Sequence, residues 1–183
     1  MPGAYTTAVK QARMTAVVTA IGGTGVLELG TSAMALVLVT IALNATAGVA
    51  AGAVLTYSGF PKSDTSADAS GKALSARIRT ATGGNDIVTG FTVGLSLTAA
   101  PVWAITTAYT AGQYRTNGAN VYKCVTAGTS AGSGGPTGTG TAIADGTVVW
   151  DWYCVSGADV QMDSLEITAT QTVTVNSFTQ THA

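Results

Sequence analysis

The sequence predicts an all-β protein: a β-sandwich or jelly-roll-like host domain, led by an N-terminal helix and carrying a small inserted β module. Three observations predict it. Threonine, a β-branched residue that tolerates a wet strand face, occurs 31 times in 183 residues, and 23 glycines supply turn positions. Apolar and threonine-rich runs of strand length recur between clusters of Gly, Pro, Asn and Asp. Composition also shifts twice, near residues 97 and 156, because all three tryptophans and four of the six tyrosines lie between Trp103 and Cys154. Insertions are tolerated at surface loop tips, so the shifts divide the chain into a discontinuous host domain, 1–96 and 156–183, and an insert, 97–155.

Taken in order, Tyr5 to Ile21 places Val9, Ala12, Ala16, Val17 and Ala20 at spacings near three and four, the pattern of an amphipathic helix, and Gly22-Gly23 ends it. Gly25 to Gly30 and Met34 to Leu43 read as strands, and the Asn44-Ala-Thr-Ala-Gly48 stretch between them and the next strand, Gly52 to Tyr57, reads as punctuation. Ser63 to Gly71 is a string of turn-forming, side-chain-capping residues. Ala73 to Arg79 then alternates toward Gly83-Gly84-Asn85, giving a hairpin with Asp86 to Val93; a short helix over 72–80 is the competing reading. In the insert, Val121 to Val125 and Val148 to Cys154 read as strands flanking a glycine-rich loop over 127–141. Val160 to Ile167 and Thr172 to Thr179 resume the aliphatic and threonine alternation.

Charge narrows the function classes. Charged residues are 9% of the chain, against about 25% in an average soluble domain, and the net charge is −1. Its eight Lys and Arg are scattered, which leaves no electrostatic footprint for nucleic acid. Arg77 and Arg79 alternate on one short strand and read as a solvated face. So weakly charged an exterior favours association, and a homo-oligomer or a larger assembly is expected. The longest apolar run, Ala33 to Leu43, falls short of the roughly 20 residues that span a bilayer. Neither a membrane anchor nor a secretory signal is therefore read.

Candidate chemistry concentrates in the insert. Flat sugar C–H faces stack on tryptophan and tyrosine, which makes Tyr109, Tyr114, Trp150 and Trp152 the candidate glycan platform. Against that, a module of this size needs its largest side chains for its own core, and alternation along 149–153 sends Trp150 and Trp152 to one side of a strand. Cys124 and Cys154 lie on the two strand-like segments: they are either partners across a sheet, in a disulfide contributing on the order of 3–4 kcal/mol, or two buried thiols. Asp145-Gly146 reads as a turn, and Asp151, between two tryptophans, as an exposed strand position able to accept from sugar hydroxyls. No cofactor or metal motif is read, since the single histidine, His182, stands near the chain end without a recognisable partner. An enzyme needs a nucleophile with its base, paired carboxylates or a metal cluster, and no spacing here supplies one; Asp151 with Asp163 is the only pair weighed.

The host segments resemble a small β-rich virion protein of tailed bacteriophages. The resemblance is carried by Val26-Leu-Glu-Leu29, by Ser63 to Gly71, by the hairpin from Ala76-Arg-Ile-Arg79 to Val88-Thr-Gly-Phe-Thr-Val-Gly94, and by the closing segment from Gly157. The insert resembles small aromatic modules of phage tail and capsid proteins and, more distantly, chitin-binding modules, through Tyr109-Thr-Ala-Gly-Gln-Tyr114, Asn117-Gly118, Val121 to Gly128, Gly135-Pro-Thr137 and Asp145 to Trp150. The resemblance implies a non-enzymatic structural protein at the particle surface, made in the host cytoplasm, with major capsid or tail proteins as partners and a cell-surface glycan as a further one. Within that reading, a compact chain with no long fibrous or coiled segment favours head decoration, with a tail-side host-recognition adhesin as the rival.

Overall fold

The computed structural model describes residues 4–181, so His182 lies outside the described residues. The chain forms two compact units, one of residues 4–93, 159–161 and 165–181, the other of residues 94–158 and 162–164. In chain order the elements are α1 (Thr7–Ile21), β1 (Val26–Gly30), β2 (Val37–Ala42), β3 (Gly48–Ala51), β4 (Val54–Tyr57), β5 (Lys62–Asp64), β6 (Gly71–Lys72), β7 (Ser75–Arg79) and β8 (Asp86–Leu95). There follow β9 (Ala108–Tyr109), β10 (Tyr114–Asn117), β11 (Asn120–Thr126), β12 (Gly128–Thr129), β13 (Ile143–Asp145), β14 (Val148–Val155), β15 (Val160–Met162), β16 (Glu166–Ile167) and β17 (Val173–Thr181). The class is the expected one, all-β with a single N-terminal helix. Among the described residues no helix is long and apolar enough to cross a membrane.

The first unit is a curled nine-stranded sheet of order β2-β1-β7-β8-β15-β17-β4-β3, with β5 paired to β17. The edge of β2 is closed by the segment read as turn chemistry. Lys62 Nζ donates to the Ala42 carbonyl (2.8 Å), the Asp68 amide to Leu38 O (2.8 Å), and the Thr40 amide to Asp64 Oδ2 (3.3 Å). Bare strand edges invite pairing with other chains, and these contacts from Lys62 and the segment after it cover part of this one. β3 is an element the sequence reading passed over, because Gly48-Val-Ala-Ala51 lies against a run of small turn-compatible residues; it forms by pairing with β4, Val49 opposite Thr56 and Ala51 opposite Val54. The β7–β8 hairpin forms as expected, in place of the helix considered for 72–80.

The helix starts where Thr6 Oγ1 accepts from the Val9 amide and stops at Gly22, whose φ of 67° suits glycine. It does not bury the expected face. Val9, Ala12, Ala16 and Ala20 are exposed, while Met14 and Ile21 are buried and Val17 is half-buried, as the helix packs on β3 and β4. Burial follows area: Met14 and Ile21 each remove more apolar surface from water than an alanine, so they choose the inward face.

Unit one's core is aliphatic, with Leu27, Leu29, Leu38, Val39, Leu55, Ile78 and Val175 inaccessible to solvent. Four of the five aromatics outside the 103–154 window meet around Phe178: Tyr57 stacks on it at 3.9 Å, with Phe91 and Phe60 edge-on at 4.9 and 6.0 Å. Burial, reinforced by the charge of Asp159, pushes the Tyr57 phenol far up, so it stays protonated and donates to Gln180 Oε1 at 2.8 Å.

Glu28 sits in the middle of this sheet and is only 3% exposed. Register sets it between Thr40 and Arg77. The Arg77 Nε donates to Glu28 Oε2 at 2.7 Å, Arg79 Nη1 lies 3.5 Å from Oε1, and Asp86 Oδ1 lies 3.0 Å from Arg79 Nε. The two arginines are therefore ion-paired and four-fifths covered, which corrects the reading of a solvated strand face. The signal for it was Glu28, the sole charge in a leucine-rich strand.

Glu28→Ala would leave two arginines without their buried counter-charge and lower the unfolding free energy by about 3 kcal/mol. Val49→Thr, at a position 66% exposed, would change it by no more than about 0.5 kcal/mol. Urea denaturation followed by far-UV circular dichroism measures both; equal effects would show that the ionic cluster does not hold the sheet.

Candidate functional site

The second unit is built on a four-stranded sheet of order β10-β11-β14-β13, with β9 and β12 forming a separate two-stranded pair. Two glycine turns set the strand connections. Gly118 (φ 60°) lies between the paired residues Asn117 and Asn120, and Gly146 (φ 66°) between Asp145 and Val148. A Cβ at Gly146 would also run into the Thr129 carbonyl oxygen, so glycine is required there on two counts.

One face of this sheet is the unit's core. Trp150 and Tyr122 are wholly buried, with Tyr109, Cys124 and Val148 beside them and Trp103, Ile143 and Trp152 packed around. Tyr109 meets the Trp150 ring edge-on at 5.0 Å, and the Arg115 guanidinium lies 5.0 Å from the Tyr109 ring centre. The three indoles and the Tyr109 and Tyr122 hydroxyls each find a partner. Trp103 Nε1 and Trp150 Nε1 both donate to Asp145 Oδ2, at 2.8 and 3.1 Å, and the Ala131 amide donates to Asp145 Oδ1 at 2.9 Å. Trp152 Nε1 donates to Asn120 Oδ1, and Tyr122 Oη to the Gly138 carbonyl, both at 2.9 Å. Asp145 does begin a turn, as expected, but at 5% exposure it is also the polar centre of the module, a role the sequence reading missed.

The glycine-rich loop over 127–141 is laid onto this core. Asn117 Nδ2 donates to the Gly134 and Pro136 carbonyls (3.1 and 3.0 Å), the Trp152 amide to Gly140 O (2.9 Å), and Gly135 lies flat enough against Trp103 that a Cβ would sit 3.0 Å from its ring.

These contacts dismantle the four-residue glycan platform. Tyr109 (3% exposed) and Trp150 (0%) are core side chains whose ring faces are covered. Tyr114 and Trp152 are half-buried, but they face opposite ways. Tyr114 pairs with Lys123 and Trp152 with Tyr122, and because Lys123 and Tyr122 are consecutive on β11 their side chains leave opposite faces of the sheet. The row on Tyr114's side is Tyr114, Lys123 and Asp151, one residue from each of three neighbouring strands. Tyr114 leans on Tyr153 at 4.6 Å, Lys123 Nζ stands 5.9 Å from the Tyr114 ring centre, and Asp151 Oδ1 accepts from the Ala142 amide at 2.8 Å. That row, rather than the tryptophans, combines an aromatic with accessible charge.

Of the two readings of Cys124 and Cys154, partners across a sheet or buried thiols, the structure shows the second. Cys124 lies opposite Trp150 and Cys154 opposite Val121, so although their strands are neighbours the two residues are offset by three positions along them. At about 3.3 Å per residue that is roughly 10 Å, past the ~7 Å limit for bridging α-carbons. Both remain buried thiols. The Cys124 Sγ lies 3.4 Å from the Thr126 carbonyl; burial pushes its pKa up, and nearby Arg115 pulls against that without reversing it.

Among the described residues no group of three His, Cys, Asp or Glu could hold a metal ion. Asp163 accepts from Ser96 Oγ at 3.1 Å, away from the Tyr114–Lys123–Asp151 row in its bonding. No family model matches the chain, and neither a curated protein nor a solved structure matches it.

Asp145→Ala would leave two indole N–H groups and one amide without an acceptor and destabilise the unit by on the order of 3 kcal/mol. Since all three tryptophans lie in this unit, the loss reads directly in the urea midpoint of tryptophan fluorescence. A thiol reagent added to native protein at neutral pH would label neither cysteine, and reductant would leave stability unchanged. The Cys124 thiol has a folded pKa above its unfolded one, so its contribution is intact below the unfolded value of ~8.5 and lost as pH rises above it. Thermal melts between neutral and alkaline pH, compared with Cys124→Ala, test the sign.

Proposed function

We propose that this chain is a non-enzymatic structural protein of a tailed-phage particle, most simply a head-decoration component that binds the shell through its first unit and carries the second as an additional module. The observation that carries the reading is the charge-poor stretch of the first unit and the apolar side chains it leaves exposed. No Asp, Glu, Lys or Arg occurs between Glu28 and Lys62. The helix leaves Val9, Ala12, Ala16 and Ala20 exposed, Tyr5 just before it is exposed too, and Val49 and Leu36 are 66% and 47% exposed. Apolar surface left in water on a weakly charged protein is stabilised by assembly with like copies or with another virion protein. The resemblance of the host segments to phage virion proteins supplies the kind of assembly.

Glycan contact through the second unit belongs to this proposal only in a reduced form. With Tyr109 and Trp150 enclosed, a sugar would have to engage Tyr114 and its row, and many copies on one particle would turn weak single contacts into avidity. The tail-adhesin alternative would make that row the working part of the protein.

Gold-tagged antibody against the second unit, applied to purified particles, separates the two readings: label spread over heads supports decoration, and label confined to tails supports the adhesin. A paired test targets the carrying observation. Val9→Glu with Ala16→Glu alters only exposed helix positions, so it is expected to shift the stability of the isolated chain by less than about 1 kcal/mol while lowering its incorporation into particles several-fold. Undiminished incorporation would remove the helix face from the assembly surface.

A further inference from the structure

We infer that the first unit carries a preformed pocket for one neutral, hydroxyl-bearing ring, a single sugar or a polyol of that size, on the polar face of its sheet. The cavity is about 210 Å³ and lies between the Ala33–Met34 loop and strands β7 and β8. That is below the ~300–1,000 Å³ of drug-sized sites, which suits one ring and not a chain.

Three features of the backbone make the cavity. Register jumps from Ala76 opposite Phe91 to Arg77 opposite Thr89, so Gly90 is an extra, bulged residue with φ 81°. A Cβ on Gly90 would meet nothing within 4 Å, which places open space at the pocket floor. The opposite wall is held in an unfavourable conformation, with Ala33 and Met34 both left-handed at φ 54° and 57°. It is nevertheless fixed, because Thr31 accepts from the Met34 amide through its carbonyl (2.9 Å) and from the Leu36 amide through Oγ1 (3.1 Å), and its own amide donates to Leu36 O (3.0 Å).

The lining decides the ligand class. Ser75 and Thr89 line it with hydroxyls that make no side-chain hydrogen bond among the described residues. Arg77 also lines the cavity, and its Nη1 stands at a loose 3.6 Å from Asp86 Oδ2, leaving donor capacity for a ligand. Asp86 supplies the complementary acceptor. Two arginines balanced by Glu28 and Asp86 give the site no net charge, so a phosphate or carboxylate gains no net attraction there. A neutral ring with hydroxyls on its edge and C–H bonds on its face matches instead, its face toward Met34 and Ala33.

The test is titration of the isotope-labelled full chain with glucose, galactose and N-acetylglucosamine, and with glucuronate and inorganic phosphate as charged comparators, followed by amide chemical shifts. A one-ring ligand at an open site is expected to bind near millimolar. The expected result is saturable shifts from at least one neutral sugar, confined to the neighbourhoods of residues 33–34, 75–77 and 86–90, and weakened at least tenfold in Thr89→Val and in Ser75→Ala. Both variants keep the side-chain size close and change positions outside the core, and their own spectra report whether the fold is intact. No saturation by any neutral sugar at ~100 mM, shifts elsewhere on the protein, indifference to both variants, or equal binding of phosphate would each overturn the proposal.

Discussion

A carboxylate taken out of water must have its oxygens satisfied, and each unit of this protein is organised around one such group. Glu28 draws Arg77 and Arg79 over the sheet, and through Asp86 it ties three neighbouring strands, β1, β7 and β8, by side chains as well as by ladders. Asp145 gathers the Trp103 segment, strand β14 through Trp150, and the start of the glycine-rich loop through the Ala131 amide. Desolvating a charge costs several kcal/mol unless it is fully matched, so neither constellation tolerates partial assembly. In a chain with so few charges, using four of them in one cluster also leaves the exterior poor in charge, which is the property that favours association.

How far the sequence reveals this depends on whether the information is local. Periodicity along a single segment placed the helix and its glycine stop, the hairpin ending at Val93, the two strands of the insert, and the common side of Trp150 and Trp152. Relations between segments were not legible. Parity on one strand says nothing about its register with the next: Cys124 falls opposite Trp150 and Tyr114 opposite Lys123, which is why Cys124 and Cys154 do not meet and why Tyr114 and Trp152 face apart. The helix face was misread for a different reason: spacing counts an alanine and a methionine alike, whereas burial weights them by area. The arginines were misread because their partner, Glu28, is about fifty residues away in sequence.

The same distinction bears on the candidate site. Aromatic density in the insert is a genuine signal, but of core-building in a small unit. A domain of this size removes too small a fraction of its surface from water to dispense with its largest side chains, and all three indoles have their N–H groups bonded inside the unit. A platform for sugars needs the opposite arrangement, with ring faces open and polar tips free to be shared. Only Tyr114 approaches it, and its ring already has Tyr153 and Lys123 as neighbours.

Concavity is then the better guide to recognition than ring count. Glycine-rich backbone covers the second unit's aromatic core, held there by Asn117, Tyr122 and Trp152. The first unit carries an open cavity where a bulge at Gly90 displaces a strand residue without supplying a side chain to occupy the gap. Two successive left-handed residues in the facing loop are a cost that folding alone gives no evident return for, since a glycine at Ala33 would relieve the strain without loss of a core contact. The Ala33 methyl is exposed and lines the cavity instead of the core, so the strained backbone shapes the pocket wall.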